Sequence, residues 1–113
     1  MGWLVRDGQV LATLDIAESR ADRRRGLLGR DTIEGALLLR PCRAVHTIGM
    51  RFPLDVAFCG EPDDEGFLPV VAIRRMGRHR LGLPAPRATS VIEAAAGAFG
   101  RWGLAVGDKL EIR

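Results

Sequence analysis

Pro53-Leu54-Asp55-Val56-Ala57-Phe58-Cys59 is the segment that best defines the fold of this chain. Leu54, Val56 and Phe58 alternate with smaller or charged residues, which is the period of a β-strand with two different faces. Proline lacks the amide hydrogen that a central strand needs, so strand pairing is expected to begin just after Pro53. The three bulky side chains predict that their face of the strand packs in the core, with Asp55 on the opposite face.

Further short strands are predicted on both sides of this segment. Apolar or alternating runs indicate strands at residues 3–5, 10–14, 36–39, 45–50, 67–73, 90–95 and 108–112. Asp7-Gly8 is typical of the tight turn of a hairpin. Residues 60–66 form an acidic turn, and residues 74–87 are interrupted by Gly and Pro, which predicts a long loop.

Two short helices complete the prediction. Ser19 followed by Asp22 is a helix-capping pattern, and Gly29 suits the end of that helix. A second helix is predicted at residues 98–102. Because regular helices do not separate the strands, a doubly wound parallel sheet is not expected. The fold class is therefore mainly β, a compact β-barrel or sandwich of short strands with one early and one short late helix.

Bulk composition is that of an ordinary globular protein. The 113 residues, 47% of them apolar, suit a single domain spanning residues 1–113. The chain has only two cysteines, too few for a disulfide framework. Charge appears too early for a signal peptide, and no apolar run is long enough to span a membrane. We expect a soluble cytoplasmic protein. The net charge of +3 is a weak field, although Lys109 is the single lysine among 17 basic residues.

Three motifs in register carry a family resemblance. They are Ala17-x-Ser19-x-x-Asp22-Arg23-x-x-Gly26-Leu27-Leu28-x-Arg30, then Pro53-Leu54-Asp55-Val56-x-Phe58, and then Val91-Ile92-Glu93-x-x-x-Gly97 with Gly103-Leu104 and Gly107-Asp108. In order and spacing the chain resembles the domain-of-unknown-function 192 family of bacteria and archaea, from about residue 10 to residue 113. The resemblance implies a small β-rich domain and implies no activity.

The chain departs from that family at one point. The family often carries Trp-Met-Lys-Asn-Thr shortly before the Pro-Leu-Asp motif, whereas this chain reads His46-Thr47-Ile48-Gly49-Met50. A polar role of the usual Asn-Thr pair is therefore not transferred to this sequence.

Two carboxylates, Asp55 and Glu93, lie within apolar strand segments. A carboxylate in such a place is usually paired or lines a polar pocket, because burial without a partner costs several kcal/mol. Pairing predicts a structural ion pair of Asp55 with Arg23 or Arg30. The pocket alternative predicts ligand-binding residues, and its candidates are His46, Met50, Arg51, Asp55 and Glu93.

Soft metal ligands are present but poorly spaced. Cys42, His46, Met50 and Cys59 are residue types that suit zinc or copper. His46 and Met50 would be about 13 Å apart on an extended strand, too far to hold one ion. Neither cysteine has a well-placed histidine to form a thiolate. We expect no metal site, no cofactor and no cysteine nucleophile.

Residues 74–80 contain four arginines, one histidine and no acid. Such a run can contact phosphate, but it carries no interleaved aromatic residue on which bases would stack. We interpret it as a solvated loop and do not expect a nucleic-acid site.

The leading functional hypothesis is a non-catalytic binding or accessory module. It would have a modest polar pocket for a small anionic ligand or a peptide, no membrane partner, and a monomeric or weakly dimeric state. One alternative is a small hydrolase or isomerase that uses Asp55 or Glu93 with His46 as acid and base. The other is a weak nucleic-acid binder acting through the arginine-rich loop.

Overall fold

Seven strands close into a barrel in the computed structural model, which describes residues 2–82 and 84–113. Met1, the start of the predicted domain, and Leu83, within the predicted loop 74–87, lie outside the described residues. Along the chain the elements are β1 (Gly2–Arg6), β2 (Gln9–Ala17), α1 (Arg20–Arg25), β3 (Ala36–Leu39), β4 (Leu54–Cys59), β5 (Leu68–Met76), β6 (Ser90–Ala95), α2 (Ala98–Trp102) and β7 (Lys109–Ile112). Around the barrel the order is β1-β2-β3-β6-β4-β5-β7.

The predicted mainly β class is confirmed, and the barrel is the alternative that forms. β3, β4, β6 and α2 have their predicted bounds. β2 and β3 pair in parallel, and the other neighbouring strands pair antiparallel. The crossover between the parallel strands contains α1. Asp7 and Gly8 join β1 to β2 with φ of 52° and 76°, the left-handed backbone of the turn that the Asp-Gly pair predicted.

The barrel has two apolar clusters, one inside it and one outside. The inner cluster takes side chains from every strand and from α2: Leu4, Leu14, Ala36, Leu38, Ala57, Cys59, Leu68, Val70, Ile92, Ala94, Ala98, Phe99 and Leu110. The outer cluster includes Leu54, Val56 and Phe58 together with Leu27, Val45 and Met50. Both faces of β4 are therefore buried. The expectation of a core on the Leu54 face alone was too simple, because the opposite face lines the barrel interior.

Residues 45–50 do not form the predicted strand. Only His46 makes a β-bridge, to Leu81. Gly49 has φ of 82°, and the Met50 amide donates to the Thr47 carbonyl at 3.1 Å. The segment is thus a turn, because the left-handed backbone at Gly49 ends any extended run.

The predicted loop 74–87 begins too early. β5 continues to Met76, with Arg74 opposite Val56 and Arg75 opposite Asp55 on β4. Two of the four arginines of residues 74–80 are therefore strand residues. Their polarity suggested a loop, but the pairing with β4 determines their conformation.

Helix α1 forms where predicted but is shorter. Ser19 Oγ accepts a hydrogen bond from the Asp22 amide at 3.0 Å, which confirms the predicted N-cap. The helix ends at Gly26, whose φ is 47°, and not at Gly29. Gly26 can adopt a positive φ without steric cost, so the chain turns there and directs Leu27 into the outer cluster.

Candidate functional site

Asp55 anchors α2 to one end of the barrel. Its Oδ2 accepts hydrogen bonds from the backbone amides of Gly97 at 2.9 Å and Phe99 at 3.1 Å. Its Oδ1 accepts one from Arg75 Nε at 3.0 Å. The side chain of Asp55 is 5% exposed, so both carboxylate oxygens are used inside the protein. This carboxylate has a structural task.

Arg75, and neither Arg23 nor Arg30, is the arginine that pairs with Asp55. The predicted partners were wrong because Arg23 and Arg30 lie at the outer face of the sheet, whereas Asp55 projects to the inner side. Arg23 Nη1 instead donates to the Pro41 carbonyl at 3.3 Å, and Arg30 is exposed.

Arg51 lies apart from the other candidate ligand-binding residues. Its Nη1 is 2.8 Å from Asp31 Oδ1, and the two side chains are 58% and 85% exposed. This is a surface ion pair, a type that contributes at most about 1 kcal/mol.

Glu93 is a buried carboxyl that has no partner among the described residues. It lies on β6 between Leu37 of β3 and Val56 of β4, so its side chain projects to the outer face. The residue is 4% exposed and forms no hydrogen bond or ion pair with the described residues. Burial raises the pKa of the Glu93 carboxyl to about 7, because no charged or hydrogen-bonding partner offsets the loss of water.

A cavity of ≈ 80 Å³ opens at the Glu93 side chain. Its walls come from α1 and the following turn, from β3 and from the segment before β4: Arg23, Arg24, Arg25, Gly26, Leu27, Leu28, Leu39, Cys42, Ala44, Val45, His46, Met50 and Glu93. We call this the Glu93 pocket. It brings three predicted candidates together, His46, Met50 and Glu93, and leaves Arg51 and Asp55 outside.

Thr47 holds the turn that carries His46 and Met50. Its side chain is fully buried, and Oγ1 accepts from the Arg80 amide at 2.9 Å and donates to the Gly77 carbonyl. His79 Nδ1 accepts from the Gly49 amide at 3.1 Å. These contacts join the turn to the segment after β5 and so fix one wall of the Glu93 pocket.

Cys42 contributes a neutral thiol to the pocket. Its Sγ donates to the Ala44 carbonyl at 3.2 Å. Burial raises the pKa of the thiol, while the Ala44 hydrogen bond and the nearby Arg23 lower it less and Glu93 raises it further. The thiol therefore stays protonated at neutral pH. Cys59, inside the barrel, has a pKa raised to about 12 by burial.

Sequence reasoning did not find Thr47 or the pocket role of α1. Thr47 looked like one residue of a strand, and no local pattern showed that its hydroxyl would bond to residues about thirty positions later. Among the arginines of α1, Arg23 was interpreted as a partner of Asp55, and no pocket role was predicted for Arg24 or Arg25. In residues 2–82 and 84–113, no cluster of three or more His, Cys, Asp or Glu side chains suits a metal ion. No helix in that part of the chain has the length and apolarity required to cross a bilayer.

Two crystal structures share this fold. One is a protein of unknown function from Novosphingobium aromaticivorans, with a TM-score of 0.77 and 21% identity, covering 97% of this chain and 82% of the other. The second is a protein from Sinorhizobium meliloti described as a candidate transcription regulator, with a TM-score of 0.80 and 20% identity, covering 98% of this chain and 91% of the other. At these identities the likeness concerns the fold alone.

No curated protein matches this sequence. The sequence profile of DUF192, described as "Uncharacterized ACR", matches residues 3–112, which is nearly the whole chain. The chain therefore belongs to the DUF192 family.

Proposed function

We propose that this protein is a small-molecule binding module and that the Glu93 pocket is its binding site. The observation that carries the proposal is the Glu93 carboxyl, which is 4% exposed, has no partner in residues 2–82 and 84–113, and faces a cavity of ≈ 80 Å³. The cavity exceeds the roughly 10–15 Å³ that one water requires, so it accommodates the polar head of a small organic molecule.

An unpaired buried carboxyl destabilises the folded chain. Burial without a protein partner penalises the charged form of such a carboxyl. Asp55, on the neighbouring strand, avoids this cost through three hydrogen bonds. The contrast supports a role for Glu93 other than stabilising the fold, because proteins keep destabilising buried groups mainly at functional sites.

The chemistry of the pocket favours a ligand that donates hydrogen bonds. An ionised Glu93 would accept an N–H or O–H from the ligand, and a bond of this charge-assisted type is about twice as strong as a neutral one. Leu27, Leu28 and Leu39 supply apolar contacts beside the carboxyl. A few polar groups in an apolar setting are typical of small-molecule sites.

Acid–base catalysis is a second candidate, favoured by the pKa of Glu93. A carboxyl with a pKa of about 7 is matched to proton transfer at neutral pH, and His46 lines the same pocket. This supports the hydrolase or isomerase alternative only in its Glu93 form. The hydrogen bonds of Asp55 leave it unsuited to that work.

The arginine-rich segment offers less support for nucleic-acid binding. Arg75 is bonded to Asp55, and the guanidinium of Arg74 lies 4.9 Å from the centre of the Phe58 ring. Both arginines thus have contacts within the barrel wall.

The test is an NMR screen of small amines, amino acids and carboxylic acids at millimolar concentration. We expect binders whose amide shift changes cluster at Gly26, Leu27 and Val45, and whose binding is lost in Glu93→Gln. The matched control is Glu65→Gln, which removes an exposed carboxylate from the β4–β5 turn. Absence of any binder at the pocket, or binding unaffected by Glu93→Gln, would overturn the proposal.

Turnover separates the two candidates. A binding module returns the bound molecule unchanged after prolonged incubation, whereas a hydrolase or isomerase converts it, with a rate that follows the ionisation of Glu93.

A further inference from the structure

The charges around the Glu93 pocket are arranged by depth. Glu93 lies at the base and is the single acid among the described residues that line the cavity. Arg23, Arg24 and Arg25 come from α1 at the rim, where Arg23 is half-buried and the other two are exposed. The Glu93 carboxyl thus lies below a positively charged rim.

Arg23 and Glu93 approach the same thiol without meeting. Each acts electrostatically on Cys42, yet no hydrogen bond or ion pair joins the two within the described residues. Both residues also line the cavity, so the Arg23 guanidinium and the buried Glu93 carboxyl share it without an ion pair. A molecule that fills it must offer an acceptor to the arginine and a donor to Glu93.

The rim arginines retain hydrogen-bonding capacity. Arg23 uses Nη1 for the Pro41 carbonyl, a bond of 3.3 Å. Arg25 approaches Asp22 only at 3.8 Å, with both side chains more than half exposed. Arg24 forms no hydrogen bond or ion pair within the part of the chain that the structure describes. Guanidinium groups of this kind suit a carboxylate, which they bind through two parallel N–H groups.

These charges disfavour a ligand that carries a single sign of charge. A plain cation would have to pass three arginines to reach Glu93, and a plain anion would meet the Glu93 carboxyl at the base. A zwitterion whose cation and anion lie a few ångströms apart satisfies both ends. The leucine side chains of the wall would contact a small apolar substituent between them.

We propose that the Glu93 pocket recognises a free α-amino acid with a small apolar side chain, its ammonium group on Glu93 and its carboxylate on the Arg23 side of the rim. This inference rests on the proposed function, because it names the ligand class of the same site. Recognition of both charges distinguishes a free amino acid from an amine, a fatty acid or an internal peptide segment.

The experiment compares three forms of one molecule by NMR titration: L-valine, N-acetyl-L-valine and L-valinamide, with the L-alanine series in parallel. We expect the free amino acid to bind at least about tenfold more tightly than either blocked form, because each block removes one charge-assisted contact. Glu93→Gln should weaken L-valine by about tenfold or more while leaving N-acetyl-L-valine unaffected.

Arg23→Gln supplies the matching test at the rim. It should weaken L-valine but not L-valinamide, whereas Arg20→Gln, on the same helix and outside the pocket lining, should change neither. A blocked form that binds as tightly as L-valine, with dependence on Glu93, would overturn the zwitterion inference and leave the proposed binding site intact. If neither amino acid binds, the zwitterion inference fails; if the amine and acid screen also finds no binder at the pocket, the proposed function fails with it.

Discussion

Asp55 and Glu93 lie on hydrogen-bonded neighbouring strands, yet their side chains project from opposite faces of the sheet. Glu93 is paired with Val56, the residue after Asp55, so the two acids alternate across the barrel wall. Asp55 faces the interior end and uses both carboxylate oxygens in hydrogen bonds. Glu93 faces the outer pocket and has no partner within the described part of the chain. The first acid stabilises the fold, and the second is available to a ligand.

Loss of the Asp55 carboxylate should destabilise the protein strongly. Asp55→Ala leaves the amides of Gly97 and Phe99 without their acceptor, and we expect a loss of at least about 2 kcal/mol in the free energy of unfolding. Arg75→Ala should cost only about 1 kcal/mol or less, because the Arg75 side chain is 63% exposed and its charge returns to water. Urea unfolding of both variants measures the difference. Equal costs would mean that the ion pair, and not the amide bonds, holds α2.

Ionisation of Glu93 should make stability depend on pH in an unusual direction. The folded-state pKa of about 7 lies above the ordinary value of 4.5, so the folded protein holds the proton more tightly than the unfolded chain. Stability from this group is complete below pH 4.5 and is lost as the pH rises through 7. The two pKa values differ by about 2.5, which corresponds to about 3 kcal/mol.

The measurement is the unfolding free energy of the wild type minus that of Glu93→Gln, followed from acidic to neutral pH. Subtraction removes titrations common to both proteins. The charged and titratable groups facing Glu93 are Arg23, Arg24, Arg25, Cys42 and His46. Thr32→Val, at an exposed position without a titratable group, serves as control and should show no such trend. A flat difference for Glu93→Gln would contradict a buried, unpaired carboxyl.

Thr47→Val should affect both stability and the pocket. Valine keeps the shape but leaves the Arg80 amide and the Gly77 carbonyl without their partner, which costs about 1–3 kcal/mol. Because this contact fixes the turn with His46 and Met50, binding at the Glu93 pocket should weaken as well. Thr47→Ser should restore both properties, and Thr32→Val, at an exposed position, should alter neither. If Thr47→Val is destabilised but binds the ligand as tightly as the wild type, the turn with His46 and Met50 does not contribute to binding.

Nucleic-acid affinity should be weak and electrostatic. We expect no sequence preference, and loss of any binding as salt rises from about 50 to about 200 mM. Gel shifts with duplexes of several sequences would measure it. Tight, sequence-selective binding at the higher salt would instead support the nucleic-acid hypothesis.

Local pattern was sufficient for much of the barrel. The alternation at Leu54, Val56 and Phe58 and the short apolar runs at β3 and β6 give strands with the predicted bounds. Pattern failed where the conformation depends on distant contacts. The polarity of Arg74 and Arg75 predicted a loop, but both residues pair with β4 and so belong to β5. The parallel pairing of β2 with β3 likewise has no local signal.

The site could be predicted only in part for the same reason. The sequence identified Asp55 and Glu93 as carboxylates in apolar strands, and His46 and Met50 as candidates. A carboxylate on the inner side of the barrel wall meets α2, whereas one on the outer side meets α1. The side on which each carboxylate lies is set by barrel closure and has no local signal in the sequence. Two acids with similar local surroundings thus acquire opposite roles.

We infer that the Glu93 carboxyl is buried, has no partner among the described residues, and faces a ligand pocket. The most direct test is NMR titration of the Glu93 side-chain carboxyl carbon in the ligand-free protein. We expect a pKa of about 7 for the Glu93 carboxyl. A Glu93 pKa at its ordinary value of 4.5 would show that water or a protein group already satisfies the carboxyl, and would overturn the proposed site.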